Sequence, residues 1–452
     1  MGCASLSVTP LYSGITNLGL MNAAASANRP LYSAGNDYKA MICIFLQGGN
    51  DSFNMLVPRG QSEYDQYSAV RGNMALNRSD LLAIEPTNVA GKEYGLHPAM
   101  SNTQNLFQAG NAAFVANVGT LLAPTTIANF NTVNKPSGLY SHFDQSIHWH
   151  TGLPQNLKSS GWGGRLADIL HTNNANQDIS MNISLSGINI FQQGNVVKEY
   201  TISALGNGSV TLTGADNNDL YNRIKRQTLD NLLDQSHHNI LKQAYSNTVG
   251  NSNNNAFGFA SAIGAVQEFS TQFSTDSLSK KLKMVAKTIA ARDTLGAKNQ
   301  IFFIEHAGFD QHNDLLVDHQ NRLTDLDNAI GSFNAAMEEI GTADCVVGFT
   351  MSDFARTLGS NGDGTDHGWG GNALVWGNPV NGKKIYGEYP ELYIDNPQDI
   401  GGGRLIPTTS CDEYFAELAL WLGASSSDMD QILPNIRNFW TPDSTGPLGM
   451  FA

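Results

Sequence analysis

Nine residues, Lys39–Gln47 (KAMICIFLQ), form an apolar, β-rich run that stops abruptly at Gly48-Gly49-Asn50-Asp51. A run without polar alternation needs cover on both faces, the condition of a strand inside a parallel sheet. Similar runs recur at 112–118, 299–305, 344–350 and 373–376. Over 317–340, Leu323, Leu326, Ile330, Phe333, Met337 and Ile340 follow at three- and four-residue steps, which predicts a helix with one buried stripe. Further helices are predicted near 98–109 and across 277–294. Strands alternating with helices of this length predict an α/β fold: a doubly wound, mostly parallel sheet with helices on both faces.

The chain between these runs is less regular. Residues 119–165 are rich in Asn, Thr, His, Gly and Trp and lack periodicity, and a loop that long is usually functional. Residues 183–214 alternate in two places and predict a small antiparallel excursion. Residues 216–255 are polar and helical in patches, and the Asn-rich 251–255 reads as a linker. The expected organisation is one domain over 39–452, with insertions at about 119–165 and 183–255.

Composition excludes some functions. The 452 residues carry 26 Lys+Arg against 40 Asp+Glu, a formal net charge of −14. That balance argues against nucleic acid, whose binding needs a basic footprint. Mean hydropathy is negative and no apolar run reaches about 18 residues, so no stable membrane span is expected. Cys43 and Cys345 lie in apolar runs and read as buried thiols, and the four cysteines show no zinc-ligand spacing. Residues 1–38 form either a flexible arm or the remnant of an export signal. The first 27 are uncharged, and 23–27 (AAASA) look like a small-residue cleavage site, although a basic leading region is missing. Met-Gly-Cys3 partly resembles a lipid-attachment motif.

In open α/β sheets, ligands gather outside the carboxyl ends of the strands. Polar residues follow three of the predicted strands: Asp51 after the first, Asp310 and His312 after the third, Asp353 and Arg356 after the fourth. Asp366-His367-Gly368 comes shortly afterwards. Carboxylates gathered on one rim repel each other, and a cation removes that cost. Oxygen and imidazole donors suit a divalent metal with open positions, zinc first, with calcium, manganese and magnesium as alternatives. Taken singly, Asp51 would serve as a turn residue or helix cap, and Asp310, His312 and His367 as loop residues. Ser141 precedes a possible helix at 143–149; it reads as an N-cap, or as a nucleophile activated by a metal. His142, His148 and His150 add imidazoles nearby. Arg165 and Arg356 could clamp an anion or serve as structural ion-pair partners.

The ordered motifs FLQGGNDSFNMLVP, YSHFDQSIHWHTG, GWGGRLADIL, HAGFDQH, TMSDFART and GTDHGWGG resemble the bacterial DUF1501 family, over residues 39–451. That resemblance implies a fold of the alkaline phosphatase and sulfatase superfamily, with metals at the carboxyl ends of the sheet. It also implies export, often through a twin-arginine signal. Carried over, Asp51 and Asp353 resemble the ligands of one metal, and Asp310, His312 and His367 those of another. Ser141 resembles the bridging nucleophile, with Arg165 or Arg356 on the substrate's oxygens. Phe354 stands where that superfamily places a histidine, and Asp353 and Ala355 where the family favours glutamate and glycine. The implied function is an exported metal-dependent hydrolase of phosphate or sulfate esters, acting on a small-molecule or polysaccharide ester. The alternative is a non-catalytic secreted binding protein on the same fold, with the aromatic stretch 149–162 suited to carbohydrate.

Overall fold

The computed structural model describes residues 38–155, 160–209, 219–233, 235–236, 239–441 and 446–451. Cys3 and the export-signal reading fall outside these residues. One sheet contains β1 (Lys39–Gln47), β2 (Ala112–Gly119), β3 (Asn182–Ser184), β4 (Tyr200–Thr201) and β5 (Asn299–Ala307). It is completed by β6 (Val346–Ser352), β7 (Gly371–Trp376), β8 (Ile385–Tyr386) and β9 (Thr409–Ser410). The order is β8-β2-β7-β6-β1-β5-β3-β4, with β9 added on β2. All pairings are parallel except those of β7, which runs against both β2 and β6.

β1 sits between β5 and β6, and its period of two divides the core. Ala40, Ile42, Ile44 and Leu46 face one hydrophobic cluster, and Met41, Cys43 and Phe45 face the other. The principal helices are α1 (Gln61–Arg71), α2 (Ser101–Ala109), α3 (His142–Thr151), α4 (Trp162–Leu170), α5 (Leu220–Leu233), α6 (Ile240–Gly264), α7 (Ser277–Ala290), α8 (Leu315–Glu339) and α9 (Cys411–Leu422). Residues of α2, α7 and α8 fill the first cluster, and residues of α3, α4 and α9 the second. The sheet is therefore covered on both faces. The expected stripe on α8 is buried from Leu323 to Met337.

Three expectations need correction. β3 and β4, within the predicted antiparallel excursion, pair in parallel, and the chain between them is a loop held by side-chain amides. Gln192 Nε2 donates to the carbonyls of Ile183 and Ile301, and Asn182 Nδ2 to that of Gln192. Such local polar bonds compete with a hairpin ladder. The tail of that stretch, 210–214, lies outside the described residues. Residues 251–255 are not a linker but part of α6, whose following turns bury Ala256, Phe259, Ala262 and Ile263. Tertiary burial there outweighs the poor helix propensity of asparagine. Trp149 and Trp162 are buried around Phe415, so the aromatic stretch is core rather than a carbohydrate platform.

α9 begins with a capping box. Ser410 Oγ accepts from the Asp412 amide, and Glu413 Oε2 accepts from the Ser410 amide. Asp412 itself is fully buried; burial pushes its carboxyl up to about 7, and Oδ1 has no partner. A folded-state value above the unfolded one means the folded form holds its proton longer as pH rises. The associated stability is present below about pH 4 and lost as pH climbs to about 7. Asp412→Asn should therefore raise the unfolding midpoint at pH 8 and change it much less at pH 5, as measured by thermal unfolding at both values.

Candidate metal centre

The carboxyl ends of β1, β5 and β6 lie side by side, and the chain leaves each through tight backbone. Gly48 and Gly49 have φ of 117° and 85°, a region that favours glycine. A Cβ on Gly48 would meet the Asp310 amide nitrogen at 2.3 Å, and one on Gly49 the Phe354 ring at 2.5 Å. Those close approaches bring the post-β5 and post-β6 loops onto the end of β1. Ser352 Oγ stitches the edge further, donating to the Leu46 carbonyl and accepting from the Asn50 amide.

On this rim, Asp310 Oδ1 is a meeting point. His312 Nε2 lies 3.0 Å from it, and His142 Nε2 and His367 Nε2 each 3.4 Å. The imidazoles also face one another: His142 Nε2 is 3.1 Å from His367 Nε2, which is 3.0 Å from His312 Nε2. His142, Asp310 and His367 form a group whose donor atoms all lie within 4.8 Å of one another. Three elements supply the set. His142 opens α3, Asp310 and His312 follow β5, and His367 ends a hairpin formed by Arg356–Ser360 and Thr365–His367.

Each ring is oriented from behind. His142 Nδ1 lies 2.6 Å from Asp353 Oδ2, His367 Nδ1 lies 2.7 Å from the Tyr140 carbonyl, and His312 Nδ1 lies 3.4 Å from Asp366 Oδ1. Carbonyl and carboxylate oxygens can only accept, so these Nδ1 atoms carry protons, which leaves each Nε2 to donate to Asp310 when protonated or to present a lone pair to a metal. Tyr140 reaches His367 from the left-handed region, with φ of 71°. Asp353 is buried and takes a further bond from the Gly48 amide. Its hydrogen bond raises the pKa of His142, whereas burial lowers that of His367. Burial works against the Asp310 carboxylate, but the Arg356 hydrogen bond at 2.8 Å and the charges of His142, Arg356 and His312 together hold its pKa down.

Imidazole nitrogens about 3 Å apart face one another only across a shared proton or a cation. A tetrahedral ion with donors at 2.0–2.1 Å would set those donors about 3.3 Å apart, which matches the spacings among His142, Asp310 and His367. That set of two imidazoles and a carboxylate therefore fits a metal, with zinc favoured over calcium or magnesium, and His312 lies beside it.

The remaining expected residues are placed elsewhere. Asp51 is fully buried against Arg71 of α1, away from the imidazoles; burial raises its carboxyl and Arg71 opposes the rise. Asp353 orients His142 instead of facing the centre. Phe354 packs beside His142 and His367, with ring centres 4.7 and 4.6 Å away. Ser141 caps α3, its Oγ accepting from the Asp144 amide at 3.4 Å. Arg165 is buried and spends its guanidinium on the carbonyls of Ile432, Thr151 and Ser160. Arg356 is buried too, donating to Asp310, to the Gly48 carbonyl and to both oxygens of Thr365. Sequence reasoning noted His142 only as a nearby imidazole. Its signal was position: it is the first residue of a helix leaving the long irregular segment, two residues after the positive-φ Tyr140.

The fold and its rim define a doubly wound α/β protein with a histidine–carboxylate centre at the carboxyl ends of the sheet. The chain belongs to the DUF1501 family, described as a protein of unknown function, whose model matches residues 38–413. No curated protein matches it. Among solved structures it is similar to the lipoteichoic acid synthase LtaP from Listeria monocytogenes, at 11% identity over 94% of this chain and 81% of that one, with a TM-score of 0.36. It is similar to the PsFucS1 sulfatase from Pseudoalteromonas sp. at 10% identity, over 92% and 71% of the two chains, with a TM-score of 0.34. For a mutant of the alkaline phosphatase PafA the identity is 10%, the coverage 72% and 64%, and the TM-score 0.29.

Removing the acceptor behind a metal-binding imidazole typically costs 10–100-fold in metal affinity. Asp353→Ala should weaken zinc binding by about that factor while leaving far-ultraviolet circular dichroism unchanged, as read by competition titration against a chromogenic chelator.

Proposed function

We propose that this chain is an exported, metal-dependent hydrolase of phosphate or sulfate esters, built as a single domain from residue 39 onward. The observation that carries the reading is the cluster of His142, Asp310 and His367, with His312 beside it, at an open cleft. That cleft has a volume of about 470 Å³ and is lined by His142, Asp310 and Asp353 together with Phe143, Ser146 and Ile147 of α3. A divalent ion bound there would polarise an ester oxygen and lower the pKa of water.

The chain's own residues account for the rest. His142, His367 and Asp310 would hold the ion, with His312 beside them; Asp353, Asp366 and the Tyr140 carbonyl orient the imidazoles. Arg356 holds Asp310 in place from below the rim. The cleft seats the ester, of a small molecule or a polysaccharide, with its acid group toward the imidazoles. In the overall reaction a water oxygen bonds to phosphorus or sulfur and the bond to the leaving-group oxygen breaks. That oxygen takes a proton, and the acid leaves as its oxyanion. Water is the favoured nucleophile because the Ser141 hydroxyl is engaged at the helix end. Ser141 nevertheless lies between Tyr140 and His142, both of which reach the centre, which keeps a covalent route as the second reading.

Export is supported by the small, uncharged amino-terminal segment. Among the described residues no helix is long and apolar enough to cross a membrane.

Purified protein should contain about one zinc per chain by elemental analysis. Chelation should abolish hydrolysis of aryl phosphates, aryl phosphodiesters or aryl sulfates, and zinc should restore it. Metal-free protein that turns over none of these esters, with or without added zinc, would leave a non-catalytic binding protein. Ser141→Ala separates the two routes. A water mechanism predicts kcat within a few-fold of the parent and a stability loss of about 1 kcal/mol from the missing cap. Loss of nearly all turnover with zinc content intact would establish the covalent route.

A further inference from the structure

The charge around the centre narrows the substrate. Among the described residues lining the cleft there is no lysine or arginine. The arginines near the rim are already committed, among them Arg322, which lies against Gly308 and pairs with Asp325 at 3.4 Å. Arg356 is buried under Asp310, and Arg404 donates to the carbonyls of His367 and Gly401 while lying against the Tyr140 ring. The Asp51–Arg71 pair is closed on itself. Glu305, at the end of β5, has Lys281 beside it. Asp310, Asp353, Asp366 and Arg356 together leave two negative charges, which one divalent ion cancels. The loaded site is then neutral, with no further cation facing the cleft.

The helical wall beside the centre is uncharged as well. Phe143, next to His142, is 70% exposed, and Ile147 lies one turn further along α3. His150, another turn on, stacks between Phe45 and Phe303; burial lowers its pKa to about 4, so it is neutral, and its buried Nε2 has no partner. Such a wall suits a leaving group with a flat or apolar face.

The desolvation cost of an ion rises with the square of its charge, and only nearby opposite charge offsets it. A phosphomonoester dianion would enter this neutral site as an uncompensated double charge, whereas a singly charged ester brings half of that. Resting on the hydrolase reading above, we propose that the cleft selects esters whose acid group carries one negative charge, a phosphodiester or a sulfate monoester, over phosphomonoester dianions, with the leaving group against Phe143.

The test compares three esters of one leaving group on zinc-loaded protein at pH 8: 4-nitrophenyl phosphate, methyl 4-nitrophenyl phosphate and 4-nitrophenyl sulfate. At least one singly charged ester should exceed the dianion tenfold or more in kcat/KM, and which one does so separates phosphodiester from sulfate. Ser146→Arg, which puts a guanidinium into the cleft, should shift the ratio at least tenfold toward the dianion. Calorimetry gives a readout without turnover. Benzenesulfonate, singly charged, should bind at least tenfold more tightly than phenylphosphonate, and Phe143→Ala should weaken it severalfold. Equal or reversed preference, in turnover or in calorimetry, overturns the proposal and leaves the hydrolase reading standing. Absence of turnover with the calorimetric preference intact sinks the hydrolase reading and keeps the charge selectivity.

Discussion

Three imidazole nitrogens that share one carboxylate oxygen must be held against their own repulsion. Most of the rim serves that demand. The Tyr140 carbonyl, Asp353 and Asp366 fix the rings from behind, and Arg356 anchors Asp310. None of these groups belongs to the same secondary-structure element as the ring it orients; Asp366, for one, lies on the hairpin and serves His312 of the post-β5 loop. The geometry therefore depends on the sheet edge being assembled. Gly48 and Gly49 make that possible by letting the post-β5 and post-β6 loops close on the end of β1 without side chains in the way.

The sheet was legible because its strands announce themselves. Lys39–Gln47 has the bounds expected from its apolar run, and the alternation of its side chains between two cores follows from strand geometry alone. Periodicity likewise exposed α8. It failed where polar side chains did the structural work, as with Gln192 and Asn182 around β3. It failed also where a polar sequence is helical only because the following turns are buried, as in α6.

The centre was legible in part, for a definable reason. Position after a strand end drew attention to Asp310, His312, Asp353 and His367, and all four take part in the cluster or its support. It could not separate a residue that faces the centre from one that holds it, because that depends on which way a side chain turns. Asp353 and Asp51 both follow strands and both are buried, yet one faces an imidazole and the other a guanidinium. Arg71 is the deciding partner of Asp51, and nothing in the local sequence links it to a residue twenty positions earlier. His142 escaped because it follows no strand.

The hairpin between β6 and β7 has a consequence for how a metal would reach this centre. It carries His367, but the other donors come from residues 142, 310 and 312, remote in sequence from it and, for His142, from each other. An unfolded chain offers no two of these groups at a fixed separation apart from the Asp310/His312 neighbours. A metal held by this set would be captured only on the native topology, so the compartment in which the polypeptide completes folding, rather than the one in which it is synthesised, would decide which metal it carries.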